Sequence, residues 1–375
     1  MTADLIVFGE DFGAHPSSTQ HLVRHLAEDR RVLWVNSIGL RRPRLSAHDV
    51  SRAARKLAEA LRPRPAEPAL RTPFPVVQPL AIPMAEGRAT RALNRALIGR
   101  AVRGAAGRAG LGRRVVWASL PSAVHALGAL GEEAVVYYCG DDFAALAGVD
   151  HDAARRMEAE LVERADLILA ASPALAARFP ADKTRLLPHG VDPGLFGAPA
   201  LRAADLPADA PVAGFYGALA EWIDLDLVAA TARLLPHWRF LMIGPAQADT
   251  AVLQGLPNVV LAGPRPHAAL PGYAQHWTAG MIPFRDTAQI RACNPLKLRE
   301  YLAAGRPVVA TPFPALAPYA AEVAVARDAA GFAAALEATR TESPDRAAAR
   351  RALVEGESWA ARAAAARAWI DRLAA

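Results

Sequence analysis

The segment with the most specific chemistry spans residues 294–311 and reads Asn-Pro-Leu-Lys-Leu-Arg-Glu-Tyr-Leu-Ala-Ala-Gly-Arg-Pro-Val-Val-Ala-Thr. Asn294 is a favoured N-cap residue, and Pro295 suits the first position of a helix. Gly305 predicts the end of that helix, and a buried strand follows. The start of a helix presents backbone N–H groups to an anion, and Lys297 adds a positive charge in the first turn. The segment therefore predicts an anion-binding helix.

Glu300 lies one turn beyond Lys297, where its carboxylate could accept hydrogen bonds from both hydroxyls of a ribose. A diphosphate at the start of the helix and a ribose one turn later describe a nucleoside diphosphate site. The alternative is an ordinary helix between two strands, with Lys297 and Glu300 forming a surface pair at i,i+3. The residue types and their spacing leave both interpretations open.

Carboxylates also follow apolar runs in the first half of the chain. Asp141 and Asp142 come directly after one such run, and Asp11 lies in the loop after the first. A carboxylate there could deprotonate the hydroxyl of an acceptor, and we consider Asp142 or Asp11 for this role. The alternative for the Asp141–Asp142 pair is a turn or a helix N-cap.

The loop that contains Asp11 is also rich in groups that could bind a sugar. Loops at strand ends often carry functional residues. The acceptor-binding candidates in this loop are His15, Ser17, Ser18 and Gln20. A capping role for Ser17 or Ser18 in the next helix would explain both serines equally well.

These residues lie in a repeating sequence pattern. Short β-branched apolar runs alternate with stretches rich in Ala, Leu and Arg. This alternation predicts an α/β protein with mainly parallel sheets. The predicted strands are 5–8, 32–36, 76–80, 115–118, 135–138, 167–171, 212–216, 240–243, 259–261, 279–282, 308–310 and 323–326. The predicted helices are 18–27, 88–103, 151–164, 225–235, 294–304, 329–339 and 358–373.

A stretch rich in Pro, Ala and Gly near residues 194–211 interrupts this pattern, which then starts again. We therefore expect two Rossmann-like domains, at residues 1–200 and 211–355, followed by a last helix within residues 356–375. Ligands of such folds bind at the carboxyl ends of the strands.

Several enzyme classes are disfavoured by missing motifs. The first strand is not followed by G-x-G-x-x-G, and neither a P-loop nor a G-x-S-x-G motif occurs. The two cysteines, Cys139 and Cys293, lie too far apart in sequence for a C-x-x-C metal site and suggest a reducing compartment. We expect no metal and no cofactor. A signal peptide and a long uncharged apolar run are also missing from the sequence, which favours a cytoplasmic protein.

The positive charge is concentrated in the first third of the chain. Residues 1–120 hold 20 Lys or Arg and 9 Asp or Glu, whereas the remaining residues hold 23 and 28. This asymmetry suggests an anionic partner such as a membrane surface, with a general excess of arginine as the alternative. Segments 51–61 and 88–103 could form basic amphipathic helices that lie on a membrane or pack on the sheet. Nucleic acid is disfavoured because aromatic residues do not alternate with the basic ones.

Segment 294–311 resembles the donor-site helix of GT-B glycosyltransferases, in the bacterial group 1, teichuronic-acid-biosynthesis-like branch. Four further segments resemble the same family and occur in the family's order. They are YYCGDDF at 137–143, ADLILAAS at 165–172, LPHGVD at 187–192 and GFYGALAEWID at 214–224. The resemblance extends from about Gly9 to the end of the chain.

This resemblance implies two Rossmann-like domains facing across a cleft, with a last helix that returns to the N-terminal domain. It implies donor-binding roles for Gly217, Gly244, Arg265, Arg285, Arg291, Asn294, Pro295, Leu296, Lys297, Leu298 and Glu300. One departure is Ala292, which stands where many retaining relatives have the first carboxylate of Glu-x7-Glu. The stereochemical outcome therefore does not carry over.

The implied activity is transfer of a hexose-type sugar from a UDP- or GDP-sugar to a glycan or lipid-linked acceptor in cell-surface polysaccharide synthesis. We expect a cytoplasmic enzyme, with peripheral attachment to the inner face of the membrane as an open question. The alternatives are a sugar-nucleotide epimerase or hydrolase of the same shape, and a non-catalytic glycan- or membrane-binding derivative.

Overall fold

A computed structural model describes residues 2–13, 17–38, 72–82, 87–143, 150–343 and 345–374. The chain divides into two compact units. Unit 1 comprises Met1–Pro188 and Arg362–Ala375, and unit 2 comprises His189–Ala361. Segment 51–61, for which we predict a basic amphipathic helix, lies outside the described residues.

Unit 1 is built on a parallel sheet of seven strands in the order β3-β2-β1-β4-β5-β6-β7. The strands are β1 Asp4–Phe8, β2 Val32–Val35, β3 Val76–Val77, β4 Arg114–Ala118, β5 Ala134–Cys139, β6 Leu167–Ala170 and β7 Thr184–Leu186. The apolar runs that predict strands lie in this sheet, and β1, β2 and β4–β6 are almost wholly buried. Sequence analysis missed β7, because it is short and largely exposed.

The helices of unit 1 connect these parallel strands. Among the described residues before Pro188 they are α1 Ser18–Leu26, α2 Arg88–Arg108, α3 His151–Arg164 and α4 Pro173–Ala176. For segment 88–103 the sequence leaves open whether the helix packs on the sheet or lies on a membrane, and helix α2 has features of both. Ile98 and Val102 are buried, whereas Leu93 and Leu97 are 48% and 39% exposed. One side of α2 therefore packs within unit 1, and another presents leucines to solvent.

Unit 2 contains a second parallel sheet, with six strands in the order β10-β9-β8-β11-β12-β13. The strands are β8 Val212–Tyr216, β9 Arg239–Ile243, β10 Val259–Gly263, β11 Ala279–Ile282, β12 Val308–Ala310 and β13 Val323–Val325. Counted from β8, this is the Rossmann order 3-2-1-4-5-6. The predicted fold class, α/β with two Rossmann-like units, is confirmed.

The helices of unit 2 are α5 Pro193–Gly197, α6 Leu225–Leu234, α7 Pro271–Ala274, α8 Ala288–Ala292, α9 Leu296–Ala303, α10 Ala329–Ala338 and α11 Asp345–Glu355. Two strand glycines allow large rings to pack directly on the sheet. A Cβ atom on Gly214 would lie 1.7 Å from the Trp277 ring, and one on Gly280 would lie 2.4 Å from the Tyr301 ring. The second contact holds α9, which carries Tyr301, directly against the sheet.

The last helix, α12, spans Trp359–Leu373. Its residues from Arg362 onward belong to unit 1, where two ion pairs hold them. Arg30 donates to Asp371 at 3.1 Å, and Nε of Arg367 lies 2.8 Å from Asp29. The chain therefore passes from unit 1 to unit 2 after Pro188 and returns after Ala361.

Candidate functional site

The switch point of the unit 2 sheet lies between β8 and β11, where the strand order reverses. Ligands of such sheets bind outside the carboxyl ends of these strands. Gly217 follows β8 and Gly244 follows β9, with φ angles of 134° and 145°. A Cβ atom on Gly244 would lie 2.0 Å from the carbonyl oxygen of Gly217. Only glycine fits at position 244, because any side chain would clash with the Gly217 carbonyl. The edge of the sheet therefore presents backbone atoms at these two positions.

Lys297, in the first turn of α9, lies at the same edge. A Cβ atom on Gly217 would be 3.2 Å from Cε of Lys297. The ammonium group lies 5.4 Å from the ring centre of Phe215, on β8, and 5.3 Å from that of Phe284, just after β11. Both distances are in the range of cation–π contacts. The two rings thus hold a positive charge at the switch point.

Helix α9 begins one residue later than the sequence predicts. Its N-cap is Pro295 and its first residue is Leu296, and no side chain caps this end. Asn294, the predicted N-cap, is buried and bonds elsewhere: its Oδ1 accepts from Arg299, and its carbonyl accepts from Nδ1 of His189 at 2.7 Å. The predicted N-cap is therefore wrong by one residue, and a buried arginine engages the Asn294 amide.

The end of α9 matches the sequence prediction. Gly305 has a φ of 74°, and its N–H donates to the carbonyl of Leu302 at 2.9 Å. The N–H of Arg306 donates to the carbonyl of Tyr301 at 3.0 Å. These are the two bonds of a Schellman motif, which favours glycine at the left-handed position.

Glu300 is buried and accepts a hydrogen bond from Nε2 of His267 at 3.1 Å. This bond and the negative charge of Glu300 raise the pKa of His267 above its ordinary value, against the opposing effect of burial. The hydroxyl of Tyr216 is also buried, and it makes no hydrogen bond with the described residues. Burial, and secondarily Glu300, raise the pKa of Tyr216 well above its ordinary value. His267 and the buried Tyr216 therefore flank the Glu300 carboxylate.

Three arginines are donor-site candidates from the sequence, and each forms an ion pair with an aspartate in unit 2. Arg265 bonds to Asp205 at 2.7 Å, and Arg291 bonds to Asp286 at 2.6 Å. Arg285 follows β11 and bonds to Asp226 at 2.8 Å. Both residues of this last pair line a cavity of about 350 Å³ near the carboxyl ends of β8 and β9. Of the three, Arg285 is the arginine next to the switch point.

Two of the predicted carboxylates in unit 1 are engaged by neighbouring groups. Asp11 accepts hydrogen bonds from the hydroxyl and the backbone N–H of Ser37, at 2.9 and 3.2 Å. Asp142 lies 2.8 Å from the guanidinium of Arg178, which also bonds to Glu158 at 2.6 Å. Asp141 is exposed. These contacts give Asp11 and Asp142 structural roles, whatever part they take in catalysis.

Glu10 is a candidate that the sequence analysis missed. It directly follows β1 and Gly9, beside the switch point between β1 and β4 in unit 1. Its Oε1 accepts hydrogen bonds from the hydroxyl of Ser17 and from Nε2 of Gln20, the latter at 2.9 Å. None of the contacts described for unit 1 engages Oε2. Its place at the carboxyl end of a buried strand could have identified Glu10 from sequence.

Two of the predicted acceptor-binding residues, Ser17 and Gln20, contact the Glu10 carboxylate. Ser17 caps α1, because its hydroxyl accepts from the backbone N–H of Gln20 at 3.2 Å, while it donates to Glu10. Ser18 is buried at the start of α1. His15 lies outside the described residues. The capping and the sugar-binding interpretations of Ser17 are thus compatible.

Neither a metal site nor a membrane-spanning helix is seen in the described part of the chain. Within those ranges, His, Cys, Asp and Glu side chains form no group of three or more that could hold a metal ion. Likewise, no helix there combines the length and the apolar character needed to cross a membrane.

Comparison with known proteins relates this geometry to glycosyltransferases. The profile of glycosyl transferases group 1 matches residues 210–341, which include Gly217, Gly244, Lys297 and Glu300. Solved structures match the whole chain. One is the Anabaena protein Alr3699/HepE in complex with UDP and glucose, with a TM-score of 0.68, 14% identity, and coverage of 98% of this chain and 99% of that chain.

Residues 210–341 are similar to glycosyl transferases group 1, and the chain has the GT-B fold. A glycosyltransferase from Rickettsia africae ESF-5 also has a TM-score of 0.68, at 10% identity, covering 100% of this chain and 99% of that chain. The Bacillus subtilis (strain 168) protein named as a teichuronic acid biosynthesis glycosyltransferase, TuaH, is 29% identical over 239 residues. That alignment spans 56% of this chain and 59% of the relative's length. The GT-B resemblance seen in the sequence is confirmed.

Proposed function

We propose that this GT-B protein is a glycosyltransferase that moves a hexose from a UDP- or GDP-sugar to a glycan or lipid-linked acceptor in cell-surface polysaccharide synthesis. The observation that carries the proposal is the arrangement of Lys297 and Glu300 on α9, at the switch point of the unit 2 sheet. The relatives support it: one carries a teichuronic acid glycosyltransferase name, and another is described with UDP and glucose.

In this proposal the diphosphate lies between the start of α9 and the strand ends at Gly217 and Gly244. Lys297 and the N–H groups of the first helical turn stabilise the negative charge that builds on the diphosphate as it leaves. Arg285, which follows β11, provides a second positive charge near this edge of the sheet. Glu300, turned by His267, accepts hydrogen bonds from the ribose hydroxyls. These groups would supply the charge stabilisation that other transferases obtain from a metal ion.

On the acceptor side we propose Glu10, with Ser17 and Gln20, as the group that binds a sugar hydroxyl. Its Oε2 is available within the described contacts, whereas Asp11 and Asp142 are already engaged. Asp141 and His15 remain candidates beside it.

Thermal unfolding with nucleotides tests the donor site. Millimolar UDP or GDP should raise the melting temperature of the wild type, because a ligand that binds only the native state stabilises it. The shift should disappear in Glu300→Ala. Glu337→Ala is the matched control, since Glu337 also lies on a helix of unit 2 and bonds to a histidine, His237, at 2.5 Å. The proposal fails if neither nucleotide stabilises the wild type.

Product analysis then separates transfer from its alternatives. UDP-glucose should be consumed when an acceptor is present. In an incubation of the same length without acceptor, it should remain almost unchanged. Rapid release of glucose or formation of an epimer would instead identify a hydrolase or an epimerase. Nucleotide binding without any turnover across UDP-, GDP- and TDP-sugars would identify a non-catalytic derivative.

A further inference from the structure

Arg299 lies on α9 but faces away from the proposed diphosphate site. It follows Lys297 by two residues, which is about 200° around a helix. Its side chain is 5% exposed, so its charge is removed from water inside unit 2. A buried guanidinium is costly unless ion pairs and hydrogen bonds compensate for the lost solvation. Its partners are therefore informative.

Two partners hold the guanidinium, and one ring covers it. Nε of Arg299 donates to Oε2 of Glu357 at 2.7 Å, and Nη1 donates to Oδ1 of Asn294. The guanidinium carbon lies 5.5 Å from the ring centre of Tyr319. The hydroxyl of Tyr319 donates to the same Glu357 oxygen at 2.5 Å. Arg299 thus connects the residue before the N-cap of α9 with Glu357.

Glu357 belongs to a short pairing of two distant segments, which we call the strap: residues 189–191 and 357–359. The N–H of Val191 donates to the carbonyl of Glu357 at 2.9 Å, and the N–H of Trp359 donates to the carbonyl of Val191 at 3.1 Å. A Cβ atom on Gly190 would lie 2.9 Å from Trp359. The strap lies next to both places where the chain passes between the units.

Asn294 is therefore held twice by the strap. Its carbonyl accepts directly from His189, and its side chain is joined through Arg299 to Glu357. Pro295, the N-cap of α9, makes no side-chain capping bond. The position of the N–H groups at the start of α9 depends on what holds Asn294. A displacement of about 1 Å in a binding site can cost roughly 100-fold in rate.

We propose that Arg299 is a positioning residue that clamps the start of the donor helix to the strap. Arg299 touches no substrate in this scheme, yet nucleotide affinity depends on it. The inference rests on the proposed function, because it concerns the same helix. The clamp further implies that nucleotide binding stabilises the backbone hydrogen bonds of the strap.

Calorimetric titration with UDP and GDP tests the clamp. Arg299→Met should weaken binding about tenfold, since a hydrogen-bonded charged group is lost behind the helix. Arg299→Lys should recover only part of the affinity, because an ammonium cannot reproduce the fork that reaches both Glu357 and Asn294. Glu357→Gln keeps the shape of the network and should weaken binding by a few-fold.

Arg350→Met is the matched control. Arg350 is also a buried arginine on a helix of unit 2. It pairs with Glu342 and Glu322 and reaches the far end of α9 only through a long contact of 3.4 Å to the Gly305 carbonyl, not through Asn294 or the strap. The control should lose thermal stability and keep the wild-type affinity for UDP. If Arg350→Met weakens binding as much as Arg299→Met, the loss is general and the clamp is disproved.

Hydrogen exchange provides a readout that simple destabilisation does not mimic. Saturating UDP should slow exchange of the Val191 and Trp359 amides in the wild type and leave them unaffected in Arg299→Met. Slowing that persists in the variant would overturn the proposal, as would a variant with unchanged UDP affinity. A wild type that binds neither UDP nor GDP would overturn the donor site itself, and the clamp with it.

Discussion

His267 donates a hydrogen bond from Nε2 to Oε1 of Glu300 at 3.1 Å, inside unit 2. The two residues are 33 positions apart in sequence, and the contact joins the segment after β10 to the donor helix α9. The bond engages Oε1 of Glu300, and the same carboxylate lies close to the buried hydroxyl of Tyr216, whose pKa it helps to raise. The bond also raises the pKa of His267 above its ordinary value and so places a titratable group beside the candidate donor site.

We expect His267→Gln to lower stability in a pH-dependent way. The pKa of His267 is raised in the folded state, so its contribution is fully present below its unfolded pKa of about 6.5 and is lost as pH rises through the folded pKa. The free energy of unfolding should fall by about 1 kcal/mol at pH 5.5 and by less at pH 8.5. Urea denaturation at both pH values measures this difference. His237→Gln, which removes a more exposed contact to Glu337, should have a smaller effect.

We expect Lys297→Met to reduce the affinity for UDP about tenfold while leaving the affinity for uridine unchanged. The ammonium held over Phe215 and Phe284 would contact the diphosphate and not the nucleoside. Calorimetric titration with both ligands separates the two contributions. An equal loss for uridine would instead assign Lys297 to the nucleoside.

The same titration applied to the three arginines should rank them. Arg285→Met should weaken UDP binding by a few-fold, because Arg285 follows β11 at the switch point. Arg265→Met and Arg291→Met should have smaller effects, because Arg265 follows β10, the edge strand of the sheet, and Arg291 lies on α8 rather than directly after a switch-point strand. A loss for Arg265→Met larger than that for Arg285→Met would contradict this assignment.

We expect Gly244→Ala to destabilise unit 2 by at least about 2 kcal/mol, since it combines an unfavourable φ with a clash at 2.0 Å against the Gly217 carbonyl. Gly255→Ala is the matched control. Gly255 also has a positive φ, 77°, but a Cβ atom there would meet nothing within 4 Å. Its substitution should therefore cost only the conformational strain, about 1 kcal/mol. Thermal unfolding of the three proteins isolates the steric contribution, and equal losses would show that the close approach does not matter.

We expect Glu10→Gln to lower the rate of sugar transfer about 100-fold while the affinity for UDP stays at the wild-type value. The variant keeps an oxygen for Ser17 and Gln20 but loses the negative charge. The measurement is product formation with an acceptor found by screening glycans and polyprenyl phosphates. Asp11→Asn is the comparison, because Asp11 is already held by Ser37. A larger effect of Asp11→Asn would return the acceptor-side role to that residue.

Attachment to a membrane is a separate expectation, carried by the basic first part of the chain. Vesicles with anionic lipid should sediment the protein, and replacing the eight Arg and Lys residues between positions 41 and 64 by Gln should abolish this. Those positions lie outside the described residues. In helix α2, Leu93→Ser with Leu97→Ser tests the exposed leucines. Equal binding to neutral and anionic vesicles would disprove an electrostatic attachment.

The sequence by itself determined the α/β class, nearly all strands and the position of helix α9. Buried parallel strands are continuous β-branched runs, such as Val115–Ala118 within β4, and these are visible without tertiary information. The stop at Gly305 is equally local, because a left-handed position after a helix favours glycine. Lys297 and Glu300 could be selected for the same reason: one helix sets their separation.

Only the tertiary structure decided which polar groups are already engaged. Asn294 is not the N-cap of α9, and its side chain accepts from Arg299, which also bonds to Glu357, 58 residues later. Asp142 pairs with Arg178, Arg265 pairs with Asp205, and Glu10 collects Ser17 and Gln20. Hydrogen bonds and ion pairs depend on distances in space, which a linear pattern does not contain. The sequence thus indicated where charge could act, and packing determined which charges are held in place by neighbours.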